Sequence, residues 1–333
     1  MRGLRESIMF TVSYQDNNRI RELPTELVAS LADFKGHWVH MINPDDKEVE
    51  FVEFKTGVPA DVLKAALDED EKPRIEKEDE YLMVLVDIPV MEDDEETGNI
   101  NYTTLPMSII LAGKAIITVC LKDSAVTRDF LLGRVKDVTL DKPTRFTFRL
   151  LFSVATKYLT YLRQIDKSSQ KIQNELHEKM RNEEMLELLD IQNSLVYFSN
   201  SLRSNINIID KLIKSNSYLP KYEEDQDLIE DVSIESLQAL DTCNTFRDIL
   251  AATMEAYSSV INNNMNNVMK VLTFVTVVIS VPTLIFSMFG MNLDGIPGNA
   301  GWASHSPWVF GVVSGASILI SLVAGIFVWR KKM

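Results

Sequence analysis

Residues 271–292 read VLTFVTVVISVPTLIFSMFGMN, an apolar run that ends in Gly290, Met291 and Asn292. A second apolar run covers residues 308–329 near the end of the chain. Neither run, taken as 271–289 and 308–329, contains Asp, Glu, Lys, Arg or His. A helix rises about 1.5 Å per residue, so each run is long enough to cross a hydrocarbon core of about 30 Å. Because the rest of the chain is highly charged, we predict two membrane spans rather than two buried core helices.

The positive charges beside these runs predict their orientation. Lys270 precedes the first span and the basic tail 330–333 follows the second, whereas the loop 291–307 has no Lys or Arg. Positively charged flanks stay on the cytoplasmic side, so we expect a multi-pass protein of the cell (plasma or inner) membrane with both termini inside. No signal peptide is visible in residues 1–20, which lack an apolar core.

The composition fits a soluble domain joined to these spans. The chain has 333 residues, of which 25% are charged and 46% hydrophobic, and its formal net charge is −14. This balance argues against a nucleic-acid partner, because phosphate binding needs clustered Lys and Arg. It is compatible with gathering cations, although a solvated acidic surface explains most of the carboxylates. Cys120 and Cys243 are far apart, and we expect buried reduced thiols.

The first 143 residues predict an α/β domain. Short stretches rich in β-branched and aromatic residues predict strands at 7–14, 37–42, 47–54, 81–90, 103–111 and 115–121. Helices are predicted at 22–34, 59–67 and 124–135. No phosphate-binding loop, nucleophile elbow or zinc-ligand spacing occurs here, so we expect neither an enzyme nor an organic cofactor. His37 and His40 would point to opposite faces of a strand and are interpreted as ordinary side chains.

Beyond Pro143 the pattern becomes helical. We predict one helix over 144–180, a second over 182–216 and, after Pro220, a third that begins within 222–231. The third contains no breaker before Phe289 except Pro282, which gives it about 65 residues and a length of roughly 100 Å. The predicted fold is an α+β cytoplasmic domain followed by long helices and two C-terminal transmembrane helices. Its parts are the α/β domain 1–143, an antiparallel helical pair 144–220, a stalk helix 221–270, a first span 271–289, an extracellular loop 290–307, a second span 308–329 and the tail 330–333.

One face of the third helix is polar at a period of about 3.5 residues. It carries, in order, Glu255, Ser259, Asn262, Asn266, Met269, Thr273, Thr276, Ser280, Thr283, Ser287 and Gly290. Hydroxyl groups inside a membrane favour the wall of a wet pore, or they bond back to their own helix and cement helix packing. Since Asn262, Asn266 and the Gly290–Asn292 tripeptide share the face, we prefer the pore. One lining helix does not enclose a channel, so several copies must meet around an axis.

The tripeptide, its position after the penultimate span, and the segments 266–273 and 245–248 together resemble the CorA family of magnesium transporters. The resemblance is close over 241–292 and looser before it. It implies a funnel-shaped homopentamer in the lipid bilayer, with Gly290, Met291 and Asn292 as the selectivity filter for hydrated Mg²⁺. It further implies that Met269 and Leu272 are hydrophobic constrictions of the pore and that Asn266 forms a lower ring.

The chain departs from the family pattern at two places. Where many members carry Met-Pro-Glu, this chain has Ile296, Pro297 and Gly298, so the extracellular glutamate is absent and Asp294 is the only acid of the loop. A ring of Asp294 attracts cations, or the residue is simply solvated. The third constriction of the family falls on Ser280, which is polar, so the dry part of the gate is shortened.

The resemblance also implies regulatory Mg²⁺ sites between subunits. Asp231 and Glu255 match acidic positions of the family, but the partner acid aligns with Ala65. Asp68 and Asp70 lie a turn away and are the candidate substitutes. The alternative for all four is a solvated acidic surface.

Three functions follow from these observations. The first is a passive Mg²⁺ channel gated by intracellular Mg²⁺. The second is a ZntB-like transporter of Zn²⁺, Co²⁺ or Ni²⁺, with or without coupling to protons. The third is a non-transporting membrane-anchored scaffold, against which the continuous polar face argues. They differ in the cation, in the direction of transport and in proton coupling.

Overall fold

The computed structural model describes residues 10–16, 19–93, 100–179, 182–290 and 307–331. The chain forms two compact units, Met1–Ala252 and Thr253–Met333. The first unit contains a β-sheet, two long helices that pack on it and the first part of a third long helix. The second contains the C-terminal part of one of those helices and the last helix.

A seven-stranded sheet forms the centre of the first unit. Its strands are β1 (Phe10–Asp16), β2 (Arg19–Glu22), β3 (Trp38–Ile42), β4 (Arg74–Lys77), β5 (Leu82–Asp93), β6 (Ile100–Ala112) and β7 (Ala115–Cys120). The order across the sheet is β2-β1-β3-β7-β6-β5-β4. The central pair β3 and β7 is parallel, and the other pairs are antiparallel.

Inner strands follow the sequence pattern, whereas edge strands do not. The predictions at 37–42, 81–90, 103–111 and 115–121 are confirmed within a few residues by β3, β5, β6 and β7. Of the strand predicted at 7–14, residues 10–14 belong to β1, and residues 7–9 lie outside the described residues. β2 and β4 were not predicted. The hairpin between β6 and β7 turns at Gly113, whose φ of 60° favours glycine.

The strand predicted at 47–54 is wrong, because these residues lie in helix α2 (Asp46–Thr56). Asp45 caps the helix by accepting a hydrogen bond from the Glu48 backbone N–H, and the Glu48 side chain accepts one from the Asp45 N–H. This capping box and the αL residue Gly57 at the other end stabilise a helix over a strand.

The other short helices are smaller than predicted. Within 22–34 only α1 (Thr25–Val28) is helical, because Glu22 ends β2 and Pro24 begins the helix. The 59–67 prediction corresponds to α3 (Ala60–Lys64) and a 3₁₀ turn, Ala65–Leu67. The 124–135 prediction corresponds to α4 (Ala125–Leu131), which Ser124 caps.

The sheet is buried on both faces. On one face Val39 and Met41 pack with Val49 and Val52 of α2 and with Leu63 of α3. On the other face the indole of Trp38 lies 5.3 Å from the ring of Phe146 and 6.1 Å from that of Phe130. The sheet is thus the middle layer of the first unit.

His40 lies beside Trp38 and is almost fully buried. Thr118 Oγ1 accepts a hydrogen bond from Trp38 Nε1 and lies 2.9 Å from His40 Nδ1. Burial lowers the pKa of His40 to about 4, so the ring is neutral at physiological pH. His37, in contrast, is outside β3, and its Nδ1 lies 3.0 Å from the Lys35 carbonyl oxygen.

The long helices lie close to where the sequence predicts them. They are α5 (Pro143–Lys179), α6 (Asn182–Lys214), α7 (Gln226–Gly290) and α8 (Pro307–Lys331). A 3₁₀ turn, Glu223–Asp225, precedes α7, which has 65 residues and contains Pro282. The structure of α7 confirms the prediction of one helix without a break.

Helices α5 and α6 are fixed on the sheet by specific contacts. Asn205 of α6 accepts a hydrogen bond from the Asp87 N–H at 2.9 Å and donates one to the Asp87 carbonyl oxygen at 2.7 Å. Tyr158 of α5 donates to the same oxygen at 3.1 Å, and its ring lies 5.0 Å from that of Phe198. These contacts satisfy the backbone of β5 and hold the two helices against it.

The start of α7 is held by a buried ion pair that the sequence did not predict. Asp225 is fully buried, and its Oδ1 lies 3.1 Å from Arg145 Nη1 of α5. Lys142 and Glu224 form a second, exposed pair next to it. Removing one partner of a buried pair leaves the other charge uncompensated, so Arg145 and Asp225 fix where α7 begins.

Both cysteines are buried free thiols, as predicted. Cys243 Sγ lies 3.2 Å from the Leu195 carbonyl oxygen of α6. Burial raises the pKa of the Cys120 and Cys243 thiols to about 12. Since the thiolate is the reactive form, both thiols are weak nucleophiles.

Candidate functional site

The predicted polar face is an exposed surface of α7. Glu255, Ser259, Asn262, Asn266, Thr276, Ser280, Thr283 and Ser287 are exposed, and Thr273 is half-buried. Met269, the apolar member of the face, is also exposed, by 52%, and Leu272, the other predicted constriction, is exposed by 56%. The face is therefore continuous from Glu255 to Ser287 and is not covered within the second unit.

Helix α8 packs on the opposite side of α7. Ser321 of α8 donates a hydrogen bond to the Val278 carbonyl oxygen at 2.5 Å. A Cβ at Gly325 would lie 2.7 Å from Phe274 Cε2 and 3.1 Å from Val278 Cγ2, so the two helices touch there. Residues two positions apart on an α-helix differ by about 200° around its axis, and Thr276 lies two positions from both Phe274 and Val278. The polar face consequently points away from α8.

Three threonines of the polar face bond back to their own helix. Thr273, Thr276 and Thr283 donate to the carbonyl oxygens of the residues four positions earlier, at 2.7, 2.8 and 2.8 Å. The hydrogens of these three hydroxyls therefore bond back to their own helix, which is the alternative that the sequence left open beside a pore lining. A hydroxyl has one hydrogen and two acceptor lone pairs, so each oxygen can still accept a hydrogen bond from water.

One residue of the Gly290–Asn292 tripeptide falls within helix α7. Gly290 is its last residue. Met291 and Asn292, and Asp294 in the loop beyond them, lie outside the described residues. Their roles in the filter and the loop stay predictions from the sequence.

The candidate regulatory acids Asp231, Glu255, Asp68 and Asp70 are all exposed. Asp231 lies on α7 in the first unit, and Asp68 and Asp70 follow the 3₁₀ turn that contains Ala65. Asp68 Oδ1 accepts a hydrogen bond from the Asp70 backbone N–H at 3.0 Å. Glu255 belongs to the second unit. Within the described part of the chain no three His, Cys, Asp or Glu side chains are grouped to hold a metal ion.

A cavity of about 320 Å³ lies in the first unit. It lies between β2 and the segment after α4 and is lined by Arg19, Phe130 and Lys136 among others. No residue of the polar face contributes to it.

The apolar surface of the second unit indicates a membrane protein. Within the described residues, one helix, Glu223–Ile285, contains a stretch long and apolar enough to cross a bilayer, and α8 contains the shorter apolar stretch Ser314–Phe327. Large apolar side chains are exposed on both helices, for example Leu284 by 64% and Leu319 by 65%. Such surface is unfavourable in water and favourable in lipid. The fold and the site thus define a class, a helical membrane protein with an α/β domain before its membrane segments.

Comparison with known proteins identifies the family. Residues 35–332 match the model of the CorA-like Mg²⁺ transporter proteins. The chain is 25% identical over 312 residues to the cobalt/magnesium transport protein CorA of Methanocaldococcus jannaschii, which covers 91% of this chain and 92% of that protein. It is 22% identical over 337 residues to CorA of Thermotoga maritima, covering 98% and 93%.

Solved structures agree with this assignment at the level of the fold. The complete structure of the M. jannaschii CorA magnesium transporter superposes with a TM-score of 0.76 at 22% identity and covers 97% of this chain and 98% of that one. The cytoplasmic domain of ZntB from Vibrio parahaemolyticus superposes with a TM-score of 0.56 at 13% identity, covering 77% and 98%. The chain belongs to the CorA-like Mg²⁺ transporter family. It is a divalent metal transporter of the membrane and not an enzyme.

Proposed function

We propose that the protein is a channel for hydrated Mg²⁺, built from five copies whose α7 polar faces line one pore. The observation that carries the proposal is the position of that face, exposed and opposite the contact with α8. In such an assembly α8 lies outside α7 against lipid, and the polar side chains meet around the axis. The number five rests on the resemblance of the 241–292 segment to the CorA family.

The chemistry of the polar face suits a hydrated cation. Mg²⁺ gives up its water reluctantly, so a pore passes it best by hydrogen-bonding to its water shell. Water bound to a cation directs its hydrogens outward and needs acceptors. Thr273, Thr276 and Thr283 offer such acceptors, because their own hydrogens are engaged with α7 carbonyls.

The outer mouth supplies neutral acceptors of the same kind. We assign the carboxamide of Asn292 and the backbone carbonyls near Gly290 to the selectivity filter. Glycine lets the chain turn there without a Cβ. Met291 packs rather than binds, because a thioether prefers softer metals. Asp294 would attract cations to this mouth.

The inner part of the pore contains the gate. Met269 and Leu272 form its apolar constrictions, and apolar linings close a pore by excluding water. Asn262 and Asn266 lie before them and hydrogen-bond to the hydrated ion. Ser280 is polar and keeps the pore hydrated at the position of the third family constriction, so the apolar section of the gate is short.

Intracellular Mg²⁺ regulates the channel by favouring its closed state. Asp231, Glu255, Asp68 and Asp70 are the proposed ligands, shared between neighbouring copies because one chain does not group them. Bound Mg²⁺ offsets the repulsion among their carboxylates and stabilises the closed ring. Uptake then declines as internal Mg²⁺ rises, which is negative feedback through different affinities of two states.

The membrane potential drives uptake in this proposal. One charge crossing 100 mV corresponds to about 2.3 kcal/mol, and a divalent ion doubles that free energy. Lys270 before the first span and Arg330 after the second support a cell-membrane protein with both termini in the cytoplasm.

A ZntB-like carrier of Zn²⁺, Co²⁺ or Ni²⁺, coupled to protons, is the second candidate. It is supported by Gly298, which stands where the family often has a glutamate, and by the likeness to the ZntB cytoplasmic domain. The intact Gly290–Asn292 tripeptide favours Mg²⁺ over this alternative.

Flux into proteoliposomes tests the proposal. Mg²⁺, Zn²⁺, Co²⁺ and Ni²⁺ would be compared under an inside-negative potential, with and without a pH gradient. We expect Mg²⁺ influx that follows the potential and ignores the pH gradient, and we expect Asn292→Ala to abolish it while the oligomer stays assembled. Zn²⁺ flux that requires a pH gradient would support the second candidate. Retained Mg²⁺ flux in Asn292→Ala would contradict the filter assignment.

A further inference from the structure

Pro282 interrupts the hydrogen bonding of α7 within its apolar segment. Proline has no backbone N–H, so the carbonyl oxygen four residues earlier loses its helical donor. That oxygen belongs to Val278. A carbonyl without a donor is especially unfavourable in a bilayer, where no water replaces the lost hydrogen bond.

Ser321 of α8 supplies a donor to this same oxygen. Its Oγ lies 2.5 Å from the Val278 carbonyl oxygen, and Ser321 is 1% exposed. Serine in a helix more often donates to a carbonyl of its own helix. The single hydroxyl hydrogen of Ser321 is instead donated to α7, at the carbonyl that the proline leaves without a donor.

The neighbouring residues of α8 make this approach possible. Gly325, one turn further, has no Cβ, and a Cβ there would lie 2.7 Å from Phe274 Cε2. Ser317, one turn earlier, is fully buried, and its Oγ has no hydrogen-bond partner in the described part of the structure. Ser317 is thus a matched control, since it is a buried serine of the same stripe without the bond.

We propose that Ser321 is a positioning residue for transport, because its hydroxyl replaces the missing N–H of Pro282 and thereby fixes the path of α7 at the proline. Pro282 lies between Ser280 and Thr283 on α7, so the path of the helix at this point sets where Thr283, Ser287 and the terminal Gly290 stand. The effect on transport rests on the proposed function above, whereas the hydrogen bond itself does not.

The test is a double-mutant cycle on the full-length protein in lipid. Val278 carries a ¹³C=¹⁸O label, and its infrared amide band reports whether the carbonyl accepts a hydrogen bond. Mg²⁺ flux is measured on the same samples. The variants are Ser321→Ala, Ser317→Ala, Pro282→Ala and the double variant Pro282→Ala/Ser321→Ala.

We expect Ser321→Ala to shift the Val278 band to higher wavenumber and to lower the flux several-fold, and Ser317→Ala to change neither. In the Pro282→Ala background the restored N–H donates to Val278, so adding Ser321→Ala should change neither the band nor the flux. If Ser321 had only a packing role, Ser321→Ala would lower the flux equally in the wild-type and the Pro282→Ala backgrounds.

An unchanged band in Ser321→Ala would overturn the inference, as would equal losses in Ser321→Ala and Ser317→Ala. A shifted band with undiminished flux would overturn the positioning role. A shifted band in a protein that transports no cation even as wild type would instead contradict the proposed function.

Discussion

Thr276 combines two properties that a pore lining in a membrane needs. Its hydroxyl donates to the Leu272 carbonyl oxygen at 2.8 Å, which satisfies its hydrogen inside α7. Its oxygen is on an exposed surface and can still accept a hydrogen bond. Thr276→Val keeps the shape of the side chain and removes the hydroxyl, so both the bond to Leu272 and the acceptor are lost.

We therefore expect Thr276→Val to lower Mg²⁺ flux in proteoliposomes while the assembly elutes as wild type in size-exclusion chromatography. Thr245→Val is the matched control, because Thr245 also donates to the carbonyl four residues earlier, at 2.8 Å, but lies in the first unit. Equal flux in the two variants would count against Thr276 as a lining residue.

His40 predicts how the stability of the first unit depends on pH. Burial lowers its pKa to about 4, while the unfolded chain takes up the proton near the ordinary value of 6.5. The neutral ring stabilises the fold fully above pH 6.5, and this stability is lost as the pH falls toward 4. The difference between the pKa of His40 in the folded and in the unfolded chain corresponds to a stability change on the order of 3 kcal/mol.

His40→Asn should flatten this pH dependence, since Asn can still reach Thr118 and does not titrate. The apparent melting temperature of purified protein, measured between pH 4 and pH 7, provides the comparison. If the melting temperatures of the wild type and His40→Asn fall equally toward low pH, other titratable groups dominate the pH dependence of stability.

At the scale of elements, the sequence predicts those helices and strands that have a clear hydrophobic periodicity or are bounded by helix-breaking residues. The long helices α5, α6 and α7 were predicted closely, because glycine is absent from them until Gly290 and they contain long amphipathic stretches. The short strands β2 and β4 were missed. They form the two edges of the sheet, and edge strands are short and charged, so they carry little hydrophobic alternation.

The error at α2 has a local cause. The residues 47–54 alternate enough to resemble a strand, but the buried side chains Val49 and Val52 are three apart, which is a helical spacing. The capping pair Asp45 and Glu48 was the sequence signal that decides between the two.

The polar face was predictable from sequence and the helix contact opposite it was not. Periodicity identifies the residues that share a face, but it does not say which helix covers the other side. α8 is apolar all round, and only the spacing of Ser317, Ser321 and Gly325 marks its contact stripe. Small residues four apart were the available signal.

Gly325→Ala tests this contact. Its Cβ would lie 2.7 Å from Phe274 Cε2, so we expect overpacking that destabilises the assembly by about 1–3 kcal/mol. Gly315→Ala is the control, because nothing lies within 4 Å of a Cβ at that position. Thermal unfolding of both variants in the same detergent measures the difference. Equal melting temperatures would mean that α8 does not pack on α7 through Gly325.

At the scale of the whole molecule, a single chain presents only one wall of the proposed pore and scattered regulatory acids. The polar face is uncovered, and the candidate ligands Asp231 and Asp68 are exposed. In the proposed pentamer both features acquire a function, because the faces of the copies meet and acids of neighbouring chains approach each other.

Asp231→Ala should weaken closure by internal Mg²⁺. Flux measured against increasing Mg²⁺ inside the vesicles should need a higher concentration for half-inhibition than in the wild type. Asp248→Ala, which removes another exposed carboxylate of α7, should leave the curve in place. A wild-type curve for Asp231→Ala would remove it from the regulatory site.

The central claim is that the polar face of α7 lines the ion path. Mg²⁺ influx is measured for Thr276→Cys and Val278→Cys before and after a water-soluble, positively charged methanethiosulfonate reagent. The native Cys120 and Cys243 are buried, and burial raises the pKa of their thiols to about 12, so they react slowly. We expect the reagent to block Mg²⁺ influx through Thr276→Cys and to leave Val278→Cys unaffected. Block of Val278→Cys with Thr276→Cys unaffected would show that the polar face of α7 does not line the ion path.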